Sequence, residues 1–247
     1  MINKALHKNP VALDREKHLK LRLRRPLVDL APVAKLNATF IAVAEFADVA
    51  REYAIVFVRA GKNEQTGKDD VAPMAVLGLG VDENLYVAGA AWSADYVPFM
   101  LRMYPFAIAR IDAQQYAVCI DDTCTSLNLT EGDALFNIDG TPSDFTLEMQ
   151  KTLEQFEAES QRTRAFCQRL GELDLLSEMR FDADAPDGNK LSVDGFLAVN
   201  EQKFAELPDA VVLELHRNGI LSLLSVQMAS MGHMRRLVAR RLRQAAA

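Results

Sequence analysis

The chain has 247 residues, of which 49% are hydrophobic and 25% charged, and its formal net charge is −6 at pH 7. This length and apolar content allow one sizeable core and exclude disorder as the main state. Residues 1–25 carry eight Lys/Arg and two acids, and residues 234–247 carry five Arg and no acid, which leaves 15 Lys/Arg and 32 Asp/Glu for residues 26–233. This acidic body argues against nucleic acid as a partner, because nucleic-acid binding depends on a basic face.

No stretch of the sequence has the ~20 consecutive apolar residues of a transmembrane helix. The longest candidate, residues 220–231, is interrupted by serines and a glutamine, and residues 1–30 alternate charged with apolar residues instead of forming a secretory signal. The three cysteines are an odd set without neighbouring histidines, which is typical of a reducing compartment. We therefore expect a cytoplasmic protein without a transmembrane segment.

Up to about residue 140, short β-branched and aromatic runs alternate with turns, and this pattern predicts strands. The predicted strands cover residues 53–58, 74–79, 85–87, 106–109 and 116–120.

After residue 140 the apolar residues recur at helical spacing. A long helix is predicted to begin in residues 141–144, with a capping hydroxyl and a proline in the first turn, and to stop at Gly171. A short hairpin is predicted around residues 186–189, with further helices from about Asn200 onward. Strands first and helices later are typical of an α+β domain, in which an antiparallel or mixed sheet from the N-terminal half packs against C-terminal helices.

The charge pattern divides the chain into a basic N-terminal arm (residues 1–25), a single domain (residues 26–230) and a basic C-terminal helix or tail (residues 231–247). One interpretation is that the basic ends are solvated and offset the acidic body of their own or a neighbouring subunit.

The C-terminal segment allows a second interpretation. Met234, Leu237, Val238 and Leu242 fall near one helical stripe, and the arginines lie mostly off it. Such a helix could rest on an anionic membrane surface or dock on an acidic partner. Because the apolar stripe is short and lacks aromatic residues, only weak membrane contact through residues 234–243 is expected.

The most distinctive stretch is an aromatic segment at residues 91–106, which holds the only tryptophan and two of the five tyrosines. Helical spacing from Ser93 to Met103 predicts one face with opposite charges around aromatic rings. Such a face could hold a zwitterionic ligand or an extended peptide, or it could lock the segment to the body, since core and groove use the same chemistry. The candidate ligand-binding residues are Trp92, Asp95, Tyr96, Arg102, Tyr104 and Asp121.

Signatures of known chemistry are missing from the sequence. None of the four histidines has a second ligand at metal spacing, and neither a Gly-x-Ser-x-Gly elbow nor a complete dinucleotide fingerprint occurs, so we expect no metal and no cofactor. Among the acids, Asp121 and Asp122 are the best candidates because they follow a predicted strand. An alternative to a binding protein is therefore an enzyme in which Asp95 and one of these acids converge in a cleft with Tyr96 and Arg102.

A resemblance to a known family rests on ten short segments. They are residues 53–57, 71–79, 83–87, 92–98, 102–106, 119–121, 135–136, 163–167, 173–176 and 195–200. Together they are similar to the bacterial SapC family over about residues 10–230, although none of them is a catalytic signature.

The resemblance implies a family that is named after a surface-layer protein locus and is often encoded near TonB-dependent receptors and flavin-dependent halogenase-like proteins. It implies a context of nutrient uptake or processing and carries over no catalytic residues. We therefore expect a self-associating, non-catalytic accessory protein that binds a small molecule or a peptide; a surface-layer structural protein is a further alternative. The permease that shares the name SapC is excluded, because this chain has no membrane spans.

Overall fold

The computed structural model describes residues 2–26, 29–62, 67, 69–89, 91–112, 116–184 and 190–245. The strands are β1 (Pro10–Ala12), β2 (Arg22–Leu23), β3 (Ala38–Phe40), β4 (Ile55–Lys62), β5 (Asp69–Val76), β6 (Val87–Ala88), β7 (Ala91–Trp92), β8 (Phe106–Arg110), β9 (Tyr116–Asp121), β10 (Leu127–Asn128), β11 (Asp133–Ala134), β12 (Leu176–Asp184) and β13 (Lys190–Val199). The helices are α1 (Ala31–Ala34), α2 (Phe46–Val49), α3 (Phe99–Arg102), α4 (Asp144–Glu172), α5 (Glu201–Ala205), α6 (Asp209–Arg217), α7 (Ile220–Ser230) and α8 (His233–Ala245), with a 3-10 turn at Val43–Glu45.

The largest sheet has five antiparallel strands in the order β12-β13-β4-β5-β3. At its centre, Phe57 of β4 lies opposite Pro73 of β5 on one side and Leu197 of β13 on the other. The α+β fold class predicted from the sequence is confirmed, with antiparallel sheets and mostly C-terminal helices.

The β12–β13 hairpin is longer than the sequence indicates, because its strands have nine and ten residues and join the central sheet. Its first strand carries exposed charged side chains such as Glu178 and Arg180, so apolar runs mark only part of it. The predicted turn at residues 186–189 lies outside the described residues.

The basic N-terminal segment is folded onto the body. Strand β1 pairs with β9, and β2 lies between β10 and β11 in a second small sheet. Leu6 and Leu23 are buried, so this segment contributes to the core.

Helix α4 spans 29 residues and covers the core beside β5. Its N-cap is Ser143, whose side chain accepts a hydrogen bond from the amide of Thr146. A capping hydroxyl is present as predicted, but Pro142 precedes the cap instead of lying in the first turn. The ring of Phe166 packs edge-on against Phe46 and tilted against Phe57, which anchors the second half of the helix to the sheet.

The basic C-terminal helix α8 also packs against its own chain. Met234 and Leu237 are 1% and 0% exposed, so the apolar stripe faces the body. Arg241 forms an ion pair of 3.1 Å with Glu83. Among the helices of the described ranges, none combines the length and the apolar character that crossing a membrane requires.

Candidate functional site

The aromatic segment forms one short helix instead of the predicted one from Ser93 to Met103. Helix α3 begins only at Phe99, and Pro98 before it is extended at φ −53° and ψ 142°. Proline has no amide hydrogen and disfavours helical geometry in the residue before it, which explains why the helix cannot extend backward. The prediction that Asp95 and Arg102 share one helical face is therefore wrong.

Trp92 is half-buried and belongs to a ring stack with Tyr53 and Tyr86. Its indole lies nearly parallel to Tyr86, with ring centroids 5.8 Å apart, and its Nε1–H donates to the Tyr53 hydroxyl at 3.0 Å. The Tyr53 hydroxyl donates in turn to the Tyr96 carbonyl.

Arg240 of α8 lies over the Tyr86 ring, 4.3 Å from its centroid, and donates to the Ser93 hydroxyl at 2.9 Å. These contacts hold the aromatic segment and α8 against the core.

Tyr96 and Arg102 lie around the buried carboxylate of Glu45. The Tyr96 hydroxyl donates to Glu45 Oε1 at 2.8 Å, and the Phe99 amide donates to the same oxygen at 2.7 Å. The Arg102 guanidinium lies 5.4 Å from the Tyr96 ring centroid. Burial raises the pKa of Glu45, although these hydrogen bonds oppose the shift. We name Glu45, Tyr96, Phe99 and Arg102 the Glu45 cluster.

Asp95 lies beside Glu52, and its contact there is made by the backbone. Residue Asp95 is exposed, and its backbone amide donates to Glu52 Oε1 at 3.1 Å. The amide of Tyr96 donates to the other oxygen of Glu52 at 2.8 Å. Glu52 therefore fixes the backbone of the segment and leaves the Asp95 carboxylate in solvent.

Tyr104 and Asp121 meet elsewhere, beside the N-terminal segment. Asp121 is fully buried and accepts hydrogen bonds from the amides of Lys8 and Asn9, from Thr123 and, at 3.3 Å, from the Tyr104 hydroxyl. Burial by itself would raise the pKa of Asp121, but the hydrogen bonds outweigh it, so the pKa lies below its usual range. The charged carboxylate thus anchors the N-terminal segment to β9.

The six predicted residues therefore do not form one site. Tyr104 and Asp121 contact each other beside the N-terminal segment, and the other four lie around Tyr53, Glu45 and Glu52. Asp122, the other acid of the predicted cleft, accepts from the Asn9 side chain at 2.8 Å. A cavity of about 290 Å³ lies near Tyr104, with Lys8, Lys35 and Cys124 in its lining. In the part of the chain that the structure describes, no group of three His, Cys, Asp or Glu side chains is placed to hold a metal ion.

A larger groove of about 480 Å³ lies between β5 and α4. Its walls combine apolar and polar side chains from β3, β4, β5 and α4. They are Phe40, Ala60, Asp69, Asp70, Val71, Ala72, Pro73, Ser160, Thr163, Arg164, Cys167, Gln168, Gly171 and Glu172. We name this space the β5–α4 groove. Two segments of the family resemblance, residues 71–79 and 163–167, contribute to its walls.

The polar groups along α4 are mostly engaged within the protein. Ser160 and Thr163 donate their hydroxyls to helix carbonyls, and Thr163 Oγ1 also accepts from the Val43 amide at 3.0 Å. Arg164 lies 3.6 Å from Glu157. Burial raises the pKa of the Cys167 thiol to about 12, so it stays protonated near neutral pH. The thiol of Cys167 is therefore not activated as a nucleophile in the walls that the structure describes.

Sequence reasoning missed this groove because its walls come from distant parts of the chain. The local signals were Gly171, where the long helix is predicted to stop, and Pro73, directly before the strand predicted at residues 74–79. A Cβ added at Gly171 would meet nothing within 4 Å, so this residue leaves the wall open.

The architecture defines the class of the protein: an α+β domain with a groove between a strand of its central sheet and a long helix. The SapC family model matches residues 13–237, and the chain therefore belongs to the SapC family. No curated protein and no solved structure is detectably similar to the chain.

Proposed function

We propose that this SapC-family protein is a non-catalytic accessory protein that binds a small molecule or a peptide in the β5–α4 groove. The observation that carries the proposal is the groove itself, whose volume falls within the ~300–1,000 Å³ of ordinary ligand sites. Phe40, Val71 and Pro73 supply apolar surface, and Asp70, Arg164 and Gln168 supply polar groups that can orient a ligand. Nutrient uptake or processing is the context that we assign to this binding.

A cytoplasmic location is part of the proposal. The three cysteines are free and buried, which fits a reducing compartment. Self-association is a further part, and the experiment below reads it directly. The enzymatic alternative has less support, because Asp121 is committed to anchoring the N-terminal segment and Asp95 is exposed.

Native mass spectrometry of the purified full chain tests the proposal. We expect a retained small molecule or peptide on the wild-type protein and its loss in Gly171→Trp, whose indole would fill the groove. Gly232→Trp is the matched control, because an added Cβ there meets only the Ala229 carbonyl oxygen at 3.7 Å and lies outside the groove walls.

Three outcomes are informative. A mass lost only in Gly171→Trp supports the proposal, and a mass that both variants retain assigns the ligand to another site. A wild-type protein that retains nothing and is not stabilised by any member of a library of metabolites and dipeptides contradicts a binding function.

A further inference from the structure

The edge strand β3 of the central sheet is shorter than its neighbour β5, with three residues against eight. Strand β3 pairs with β5 only from Ala38 opposite Val76 to Phe40 opposite Met74. One more hydrogen bond follows, from the Ile41 amide to the Pro73 carbonyl at 3.2 Å. The chain then turns toward α4, where the Val43 amide donates to Thr163. In the described ranges, no strand pairs with residues 69–72 of β5 on this side.

Pro73 explains why the pairing stops. Proline has no amide hydrogen. Its carbonyl therefore accepts a hydrogen bond from the Ile41 amide, but it cannot donate one back to Ile41. Beyond Pro73, β5 continues to Asp69, and β4 is the one strand that pairs with it there among the described residues. The pairing of β4 with β5 shifts by one residue between Arg59 and Gly61. The extra residue lies in β4, so β5 continues without interruption.

The free edge has backbone groups directed outward. The N–H and C=O of one strand residue point to the same side, and the side alternates along the strand. Since the Pro73 carbonyl points toward β3, the amide and carbonyl of Val71 point the same way, past the end of β3. The same alternation directs the backbone groups of Asp69 to this edge.

The β5–α4 groove coincides with this edge. Residues 69–73 all contribute to its walls, although neighbouring strand residues face opposite sides of a sheet. Consecutive lining residues mean that the backbone edge itself faces the groove. At ~3.3 Å per residue, the open edge of four residues is about 13 Å long.

We infer that the ligand of the groove is an extended peptide from a partner protein, which adds as a strand to the open edge of β5 with α4 as the opposite wall. This inference rests on the proposed function and names its ligand class. Peptide addition to a strand edge beside a helix is an established recognition mode, in which main-chain hydrogen bonds supply affinity and side-chain pockets supply specificity.

The charge of the walls predicts a basic peptide. Three carboxylates, on Asp69, Asp70 and Glu172, line the groove against one guanidinium, on Arg164. Asp69 also contacts Arg59, and Glu172 also contacts Arg169, each at 3.0 Å. Both pairs are solvent-exposed and therefore weak, so a Lys or Arg of the peptide can compete with Arg59 and Arg169 for the carboxylates of Asp69 and Glu172. A second copy of the chain fits less well, since its own α4 flanks the matching edge.

The test begins with a random heptapeptide phage library, selected on the immobilised full chain and depleted on Gly171→Trp. The best peptide is synthesised together with seven versions, each N-methylated at one position. Their affinities for the wild-type protein are measured by fluorescence anisotropy, with Gly232→Trp as the control variant. Amide exchange of Val71 is followed by NMR with and without the peptide.

The outward backbone groups of the open edge belong to Val71 and Asp69. We therefore expect N-methylation to weaken binding about tenfold at two peptide positions that are separated by one insensitive position, because it removes a main-chain donor there, and to have little effect elsewhere. We also expect enrichment of Lys or Arg in the selected peptides. The Val71 amide is expected to exchange fast in the free protein and slowly in the complex, whereas the Ala72 amide, on the β4 side, is slow in both.

Failure to recover any peptide, or affinities that show no alternation on N-methylation, overturns the inference. If a small molecule retained by the wild-type protein is lost in Gly171→Trp, the groove still binds and only the peptide class is wrong. Slow exchange of the Val71 amide without peptide, in a chain that is dimeric by mass, assigns the edge to a second copy and also overturns the inference.

Discussion

The hydroxyl of Tyr96 donates a hydrogen bond of 2.8 Å to the buried carboxylate of Glu45. The bond joins the aromatic segment to the residue just before α2, and the amide of Ala42 donates to the other carboxylate oxygen at 3.1 Å. A side chain that looks like a ligand contact in the sequence is thereby committed to the fold.

Tyr96→Phe is expected to destabilise the protein by about 1.5–3 kcal/mol, because the substitution removes a donor from a buried carboxylate. Urea unfolding followed by circular dichroism measures the change. Asp95→Ala is the control, and its exposed side chain predicts a change within about 0.5 kcal/mol. A Tyr96→Phe protein of unchanged stability that loses its ligand would restore the aromatic segment as the binding site.

Trp92→Ala is expected to cost about 3 kcal/mol, because it removes the stacking on Tyr86 and the bond to Tyr53. Trp92→Phe keeps a ring and loses only the indole donor, so we expect about 1 kcal/mol. Both values come from denaturant unfolding. Equal losses for the two variants would show that the hydrogen bond, and not the ring stack, carries the contribution of Trp92.

The docking of α8 predicts how the basic end behaves. Leu237→Ala should destabilise the protein by about 2–5 kcal/mol, since Leu237 is fully buried. The exposed Arg235→Ala serves as the control and should change stability by no more than about 0.5 kcal/mol. The folded protein should also fail to sediment with phosphatidylserine-containing vesicles, because the apolar stripe is covered. Binding by the wild-type protein equal to that of Leu237→Asp would show that the helix undocks readily.

Stability should fall in mild acid, partly through His7. Burial lowers the pKa of His7 below its usual 6.5, although the backbone groups of Asn3 and Phe106 oppose the shift. The unfolded chain therefore binds the proton first, so the free energy of unfolding decreases as pH falls through 6.5 toward the lower folded-state pKa.

His7→Asn should flatten this slope between about pH 5 and 8 without removing it, since burial also lowers the pKa of His233. Urea unfolding across this range measures the slope, and an identical slope in both proteins would contradict a neutral buried His7.

Gly171→Ala is expected to stabilise the protein by about 0.5–1 kcal/mol. The position is helical and its added Cβ meets no atom within 4 Å, so the gain comes from lower backbone entropy in the unfolded chain. Thermal unfolding measures the gain, and the same substitution should leave peptide binding intact because a methyl group does not fill the groove. Destabilisation by this substitution would show that the groove wall is closed at this point.

Local patterns of the sequence determined the α+β class, parts of β4, β5, β6, β8 and β9, and the approximate bounds of α4. These features depend on periodicity and capping, which act over a few residues. The same reasoning failed at Ser93 to Met103. The helical spacing predicted one helix there, but in the structure Pro98 is extended and the helix begins only at Phe99.

The tertiary structure alone decided the partners of the candidate residues. Glu45 meets Tyr96 from 51 positions away, and Asp121 meets the amide of Lys8 from 113 positions away. The β5–α4 groove likewise exists because the pairing of β3 with β5 ends at Pro73 of β5, and α4 passes beside the part of β5 that β3 leaves uncovered. Pairings of this kind are set by how whole elements pack, and no spacing within one segment records them.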